Sequence, residues 1–172
     1  MEKIVNQALL KRNMLIASLF VTSFEMLKNT IQEKIKSFLC PNSTYNAQGE
    51  FEYEISNEYR SDVLDKNIPG INRKRTPEYH LFYSSCLWLR ENSVLTKTDF
   101  LSLQQIRKHR NLIAHEPVRL LIDENLNVNM ELLRKAQGLL NKIEKWWVVN
   151  FEIQVNSFFD GQKIDESDIK TG

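Results

Sequence analysis

The longest regular pattern in the chain lies near its start. Between Glu2 and Leu39, Val5, Leu9, Ile16, Phe20, Phe24, Leu27, Ile31, Ile35 and Phe38 recur at steps of three and four residues, or sums of them. That is the period of an amphipathic helix. No proline or glycine interrupts it, and Pro41 follows its expected end. Such a helix would be about 55 Å long at 1.5 Å per residue. Met14 to Val21 is apolar on nearly all sides. Two readings follow: a helix buried by its own bundle and by a second subunit, or a purely internal core helix.

The pattern then weakens. Pro41-Asn42-Ser43 and Asn46-Ala47-Gln48-Gly49 mark loops, and Phe51, Tyr53 and Ile55 alternate like a short strand. Glu58 to Lys66 predicts a short helix closed by the Pro69-Gly70 turn. Thr76-Pro77-Glu78 is a helix start, with an N-cap residue, proline at the first position and an acid in the first turn. The helix is expected to reach about Glu91, with Leu81, Phe82, Ser85, Trp88 and Leu89 inward and His80 on the surface. Thr96 and Asp99, in capping-box spacing, open the next helix. Val118 to Asp123 predicts an extended crossing or one helical turn. Asn127 or Asn129 then caps a last long helix that buries Leu132, Leu133, Ala136, Leu139, Leu140, Ile143, Trp146 and Trp147, with Lys135, Lys142 and Lys145 on its wet side. Beyond about Phe151 the pattern fades, although Phe158-Phe159 can tuck back. The expectation is an all-α bundle with long antiparallel first and last helices, one domain over 1–160, and a flexible polar tail over 161–172.

The helix opened by Thr96 departs from simple patterning. At about 100° per residue, Leu103, Ile106, Ile113 and Ala114 gather on one side, with Phe100 at its margin. Arg110 falls in the middle of that side, where a guanidinium is costly unless paired or bound to an anion. Gln104, Asn111 and His115 line one flank. Pro117 disfavours helix at Glu116, so the helix should stop at about His115, which then faces the unpaired carbonyls of the last turn. Two readings stand side by side. Arg110 and His115 share a site with a polar amide between them, or Arg110 snorkels out on its stem and His115 caps carbonyls.

Composition narrows the partners. The 172 residues carry a net charge of +1, which argues against indiscriminate coating of nucleic acid. RNA contact must come from local patches, of which Arg107, Lys108, Arg110 and Arg119 form one and Arg73-Lys74-Arg75 another, the second being more simply a solvated loop. Glu50, Glu52, Glu54 and Glu58 read as a solvated face. Cys40 and Cys86 lack the paired spacing of a zinc site and suit a reducing cytoplasm. The first residues lack a signal-peptide pattern, and the run Met14–Val21 is too short to span a bilayer. The expectation is a cytoplasmic protein with no membrane contact, no metal and no cofactor.

Arg110-Asn111-Leu112-Ile113-Ala114-His115 resembles the signature of the HEPN superfamily (higher eukaryotes and prokaryotes nucleotide-binding domains): an arginine, usually a polar residue next, and a histidine beyond an interval of four to six residues. The context is similar too, with a long first helix, a helix ending in the motif and another long helix. The resemblance implies an all-α homodimer in which two Arg/His motifs meet in one cleft. It also implies a metal-independent endoribonuclease, as in bacterial toxins, abortive-infection proteins and CRISPR-associated RNases. By position, Arg110 and His115 would be the catalytic pair and Asn111 the supporting residue, with Arg107, Lys108 and Arg119 as RNA contacts. An antitoxin or regulatory protein is the implied partner. Some such toxins carry a tyrosine two residues after the histidine that an antitoxin modifies; Pro117 stands there, so that control is not implied. The alternative is a non-catalytic binding or dimerisation module in which Arg110 is a structural ion-pair partner.

Overall fold

The computed structural model describes residues 7–71, 74, 76–116 and 127–152. These form five α-helices and one two-stranded sheet, so the chain is mostly helical, as its patterning predicts. Helix α1 spans Gln7–Leu39, and strands β1 (Ser43–Tyr45) and β2 (Phe51–Tyr53) pair antiparallel, with Tyr45 opposite Phe51. Helix α2 (Asn57–Tyr59) continues into a wider π turn over Arg60–Leu64. Helix α3 spans Pro77–Glu91, α4 Lys97–His115 and α5 Met130–Trp147, the last running on into a π turn over Val148–Glu152. Two compact units divide the chain: Met1–Leu27 with Leu101–Gly172, and Lys28–Phe100.

In the first unit, α1 buries Phe20, Phe24 and Leu27, α4 buries Leu103, Ile106 and Ile113, and α5 buries Leu133, Ala136, Leu139, Ile143 and Trp147. On α1 these positions form one stripe. Met14, Leu15, Leu19 and Met26 turn elsewhere and stay exposed, Leu15 by 72%. The reading of Met14–Val21 as a purely internal core helix is thereby corrected: one layer of packing covers one stripe, and the opposite apolar stripe is left open in the single chain. By length and composition, Leu10–Leu39 could cross a membrane, a test that the core helix of a soluble protein also passes. Ala114, expected inward on α4, is exposed. Asn129 caps α5, its Oδ1 accepting the N–H groups of Glu131 and Leu132 at 3.0 and 3.1 Å.

In the second unit, the buried positions are Ile31, Ile35 and Leu39 of α1, Cys40, Tyr59, Val63, and much of α3. The strand expected at Phe51 has a partner, β1, whose Ser-Thr-Tyr carries too little apolar signal to be seen alone. The Pro69-Gly70 turn forms as expected: Gly70 has φ of +79° and the N–H of Ile71 donates to the Ile68 carbonyl at 3.1 Å, so only glycine fits easily there. His80 corrects the surface expectation. It is 4% exposed, and its Nε2–H donates to the Lys66 carbonyl at 2.7 Å, so a long-range partner decides its place. Cys40 and Cys86 are both buried and unbridged, and burial pushes the Cys86 thiol up. Arg73, Arg75, Val118 to Asp123, Phe158-Phe159 and the tail fall outside the described residues.

Helix α3 ends in a Schellman motif. The N–H of Val94 donates to the Leu89 carbonyl at 2.9 Å and that of Ser93 to the Arg90 carbonyl at 3.1 Å. The left-handed position of this motif holds Ser93, with φ of +62°, where glycine is usual. Ser93→Gly is therefore expected to raise stability by about 0.5–1 kcal/mol, the relief of side-chain strain outweighing the greater freedom of glycine in the unfolded chain. Equilibrium urea unfolding checks this; an unchanged or lower midpoint would contradict it.

Candidate functional site

Helix α4 is fixed at both ends by local chemistry. At its start the Thr96 N–H donates to Asp99 Oδ2 at 2.9 Å, and the Asp99 N–H donates to Thr96 Oγ1 at 3.1 Å. This is the reciprocal capping box that the spacing predicts. At its end the helix stops at His115, two residues before Pro117, as expected.

Arg110 sits on the core-facing side. Its Nη2 meets Glu25 Oε1 of α1 at 2.5 Å, with the two side chains 27% and 30% exposed. The guanidinium also lies over the Phe24 ring, 5.7 Å from its centroid, and its Nη1–H donates to Asn111 Oδ1 at 3.3 Å. Its Nε is buried with no hydrogen-bond partner among the described residues. The arginine thus has a carboxylate, an aromatic face and a neighbouring amide. Partial burial makes the charge pair worth more than an exposed surface bridge and less than a fully desolvated one.

The opposite side of α4 opens into a groove of about 520 Å³, lined by Gln105, Lys108, His109, Asn111, Leu112, His115, Glu116 and Leu132. Leu112 and Leu132 give it an apolar floor. Lys108 and His115 are exposed, whereas Asn111 is half-buried. Arg110 holds Asn111 Oδ1, and Asn111 itself lines the groove. Among the described residues, no group of three or more His, Cys, Asp or Glu side chains is placed to hold a metal ion.

His109 forms another part of the wall. Its ring packs edge-to-face against Phe20, centroids 4.9 Å apart, and its Nε2 accepts the Asn129 N–H at 2.9 Å. A backbone N–H can only donate, so Nε2 carries the lone pair and the neutral ring carries its proton on Nδ1. Desolvation by burial lowers its pKa below the usual histidine value, in keeping with that neutral form. Asn129 is at once the cap of α5 and the donor to His109, so one residue sets the helix start and this wall of the groove.

The expected site residues are therefore divided between two faces. Asn111, Lys108 and His115 meet in the groove; Arg110 is not among its described lining residues and reaches it through Asn111. Five residues at about 100° each set Arg110 and His115 about 140° apart around the helix, which is why one chain does not bring them together directly. Arg107 is half-buried and has an interaction of its own, while Arg119 falls outside the described residues. Patterning missed Glu25 and His109. Glu25 had a signal: it is the only charge between Arg12 and Lys28, a lone acid on an apolar helix that complements a lone arginine on another. His109 had none, because its partner is a backbone N–H. No protein-family model, curated protein or solved structure matches the chain.

Glu25→Ala, which leaves Arg110 without its carboxylate, is expected to lower stability by about 1–3 kcal/mol in urea unfolding; an unchanged midpoint would show the pair to be energetically idle. His109 gives a pH dependence with a defined sign. Its folded pKa is lowered from 6.5, so its contribution is complete above the unfolded value and is lost as pH falls through the folded one. Stability should therefore drop as pH falls below 6.5, and His109→Gln should flatten that part of the profile.

Proposed function

We propose that the chain is a metal-independent endoribonuclease of HEPN type, acting as a homodimer in the cytoplasm, in the manner of a toxin or phage-defence (abortive infection) effector held by an antitoxin or regulatory protein. The observation that carries this reading is the open groove at the end of α4, where His115, Lys108 and Asn111 converge over an apolar floor. RNA supplies its own nucleophile. A base removes the 2′-hydroxyl proton, the oxygen attacks phosphorus, the bond to the 5′-oxygen breaks, and an acid protonates that oxygen. Histidine suits both proton transfers, and two copies of His115 divide them. Arg110 brings a permanently protonated planar fork for the charge on the phosphorane, and Asn111 orients the RNA. Arg107, Lys108 and Arg119 contribute phosphate contacts. The 140° between Arg110 and His115 makes a second copy essential to the reading, since one chain presents the two on different faces. The exposed Met14, Leu15, Leu19 and Met26 of α1 offer the apolar surface such a dimer would bury.

A second reading has its own observation. The Arg110–Glu25 pair is what a structural arginine would form in a non-catalytic binding or dimerisation module.

The expected result is RNA cleavage in EDTA, leaving 2′,3′-cyclic phosphate and 5′-hydroxyl ends. His115→Ala should cost roughly 10²–10⁴ in rate while the protein stays folded and dimeric. Arg110→Lys should also be poor, because a point charge cannot reproduce the fork. If wild type leaves RNA intact and Arg110→Ala unfolds, the arginine is structural and the second reading holds. A monomer at micromolar concentration in light scattering would defeat the shared site.

A further inference from the structure

The ribonuclease reading leaves the histidine at position 109 of the groove unused. His109 is not a candidate base, because its Nε2 lone pair is taken by the Asn129 N–H. That same bond fixes the proton on Nδ1, and Nδ1 has no hydrogen-bond partner among the described residues. The ring is clamped against Phe20 and lines the groove, so it is a donor of set tautomer and orientation. Lys108 is the one lysine or arginine among the groove's described lining residues, and Leu112 and Leu132 lie with it. A strong acceptor, a cation-matching charge and a flat apolar surface are together offered by a phosphate and the unstacked base beside it.

We propose that His109 is an RNA-binding residue of this groove, its Nδ1–H donating as a neutral group to a phosphate oxygen of single-stranded RNA while Lys108 supplies the charge. The choice of RNA as ligand rests on the ribonuclease reading; the donor itself rests on the His109–Asn129 geometry. A neutral donor differs from a lysine in a measurable way. Lysine releases a counterion on binding and so steepens the salt dependence, whereas a neutral imidazole adds affinity without changing that slope.

Two substitutions separate the two ring nitrogens. Gln extends an oxygen to the place of Nε2 and keeps an acceptor for Asn129; Asn places an N–H near Nδ1 and loses that acceptor. The probe is a dye-labelled single-stranded RNA with every 2′-hydroxyl methylated, followed by anisotropy across a salt series with the full chain. His109→Gln is expected to stay folded and weaken binding about tenfold with the salt slope unchanged. Lys108→Met should weaken binding and reduce the slope by nearly one. His109→Asn should lose stability yet bind more tightly than His109→Gln. Binding by His109→Gln equal to wild type, or no binding by wild type, overturns the proposal. So does equal weakening by His109→Gln and His109→Asn in step with lost stability, which would make the histidine purely structural. If the methylated probe binds as expected but unmodified RNA is not cleaved, the nuclease reading fails and the binding role of His109 stands.

Discussion

A guanidinium on the core-facing side of a helix must find an anion, and that requirement ties α4 to α1. Arg110 lies on the side that buries Leu103, Ile106 and Ile113, and Glu25 meets it there. The pair fixes the rotation of α4 and therefore what its other side presents. With Arg110 turned to Glu25, the turns bearing Lys108, Leu112 and His115 face the groove. Asn111 stands between the two faces. Its carbonyl oxygen is held by the arginine, and the residue itself lines the groove. The ion pair is thus both a packing device and the support of the polar groove wall.

The second support is made by a backbone group. Asn129 uses its side chain to satisfy the first N–H groups of α5 and its own N–H to hold His109. Burial disfavours the imidazolium, and the donated hydrogen bond favours the neutral ring, so the two effects act in the same direction. A buried histidine facing a carbonyl shows the opposite polarity: His80 donates a hydrogen bond to the Lys66 carbonyl through its own Nε2–H. The same side chain therefore serves as acceptor in one unit and as donor in the other, according to the backbone group it meets.

The helices and most of their ends were legible from local signals. The Thr96/Asp99 box, the helix end at His115, the cap at Asn129 (one of the two asparagines expected) and the Pro69-Gly70 turn are each set within a few residues, and each forms as patterning predicts. The failures share another cause. His80 and His109 are placed by backbone groups 14 and 20 residues away, which no periodicity encodes. The open stripe of Met14, Leu15 and Leu19 was legible as apolar, but an apolar residue does not say which surface covers it. In the candidate site, the shared flank of Asn111 and His115 was readable from position on the helix, and Lys108 from a run of basic residues. The division of Arg110 from the groove required knowing that Glu25 was its partner.

The hydrogen bond between His109 and Asn129 also closes a loop of the chain, since 20 positions separate its two residues. The entropy of closing a flexible loop grows only logarithmically with length, so doubling the connection costs about 0.6 kcal/mol. The placement of α5 beside α4 is then set by the closing contact far more than by the number of residues joining them. Insertions into that connection should be tolerated by the pairing. His109 and Asn129 accordingly keep this wall of the groove in place whatever the number of residues that joins them.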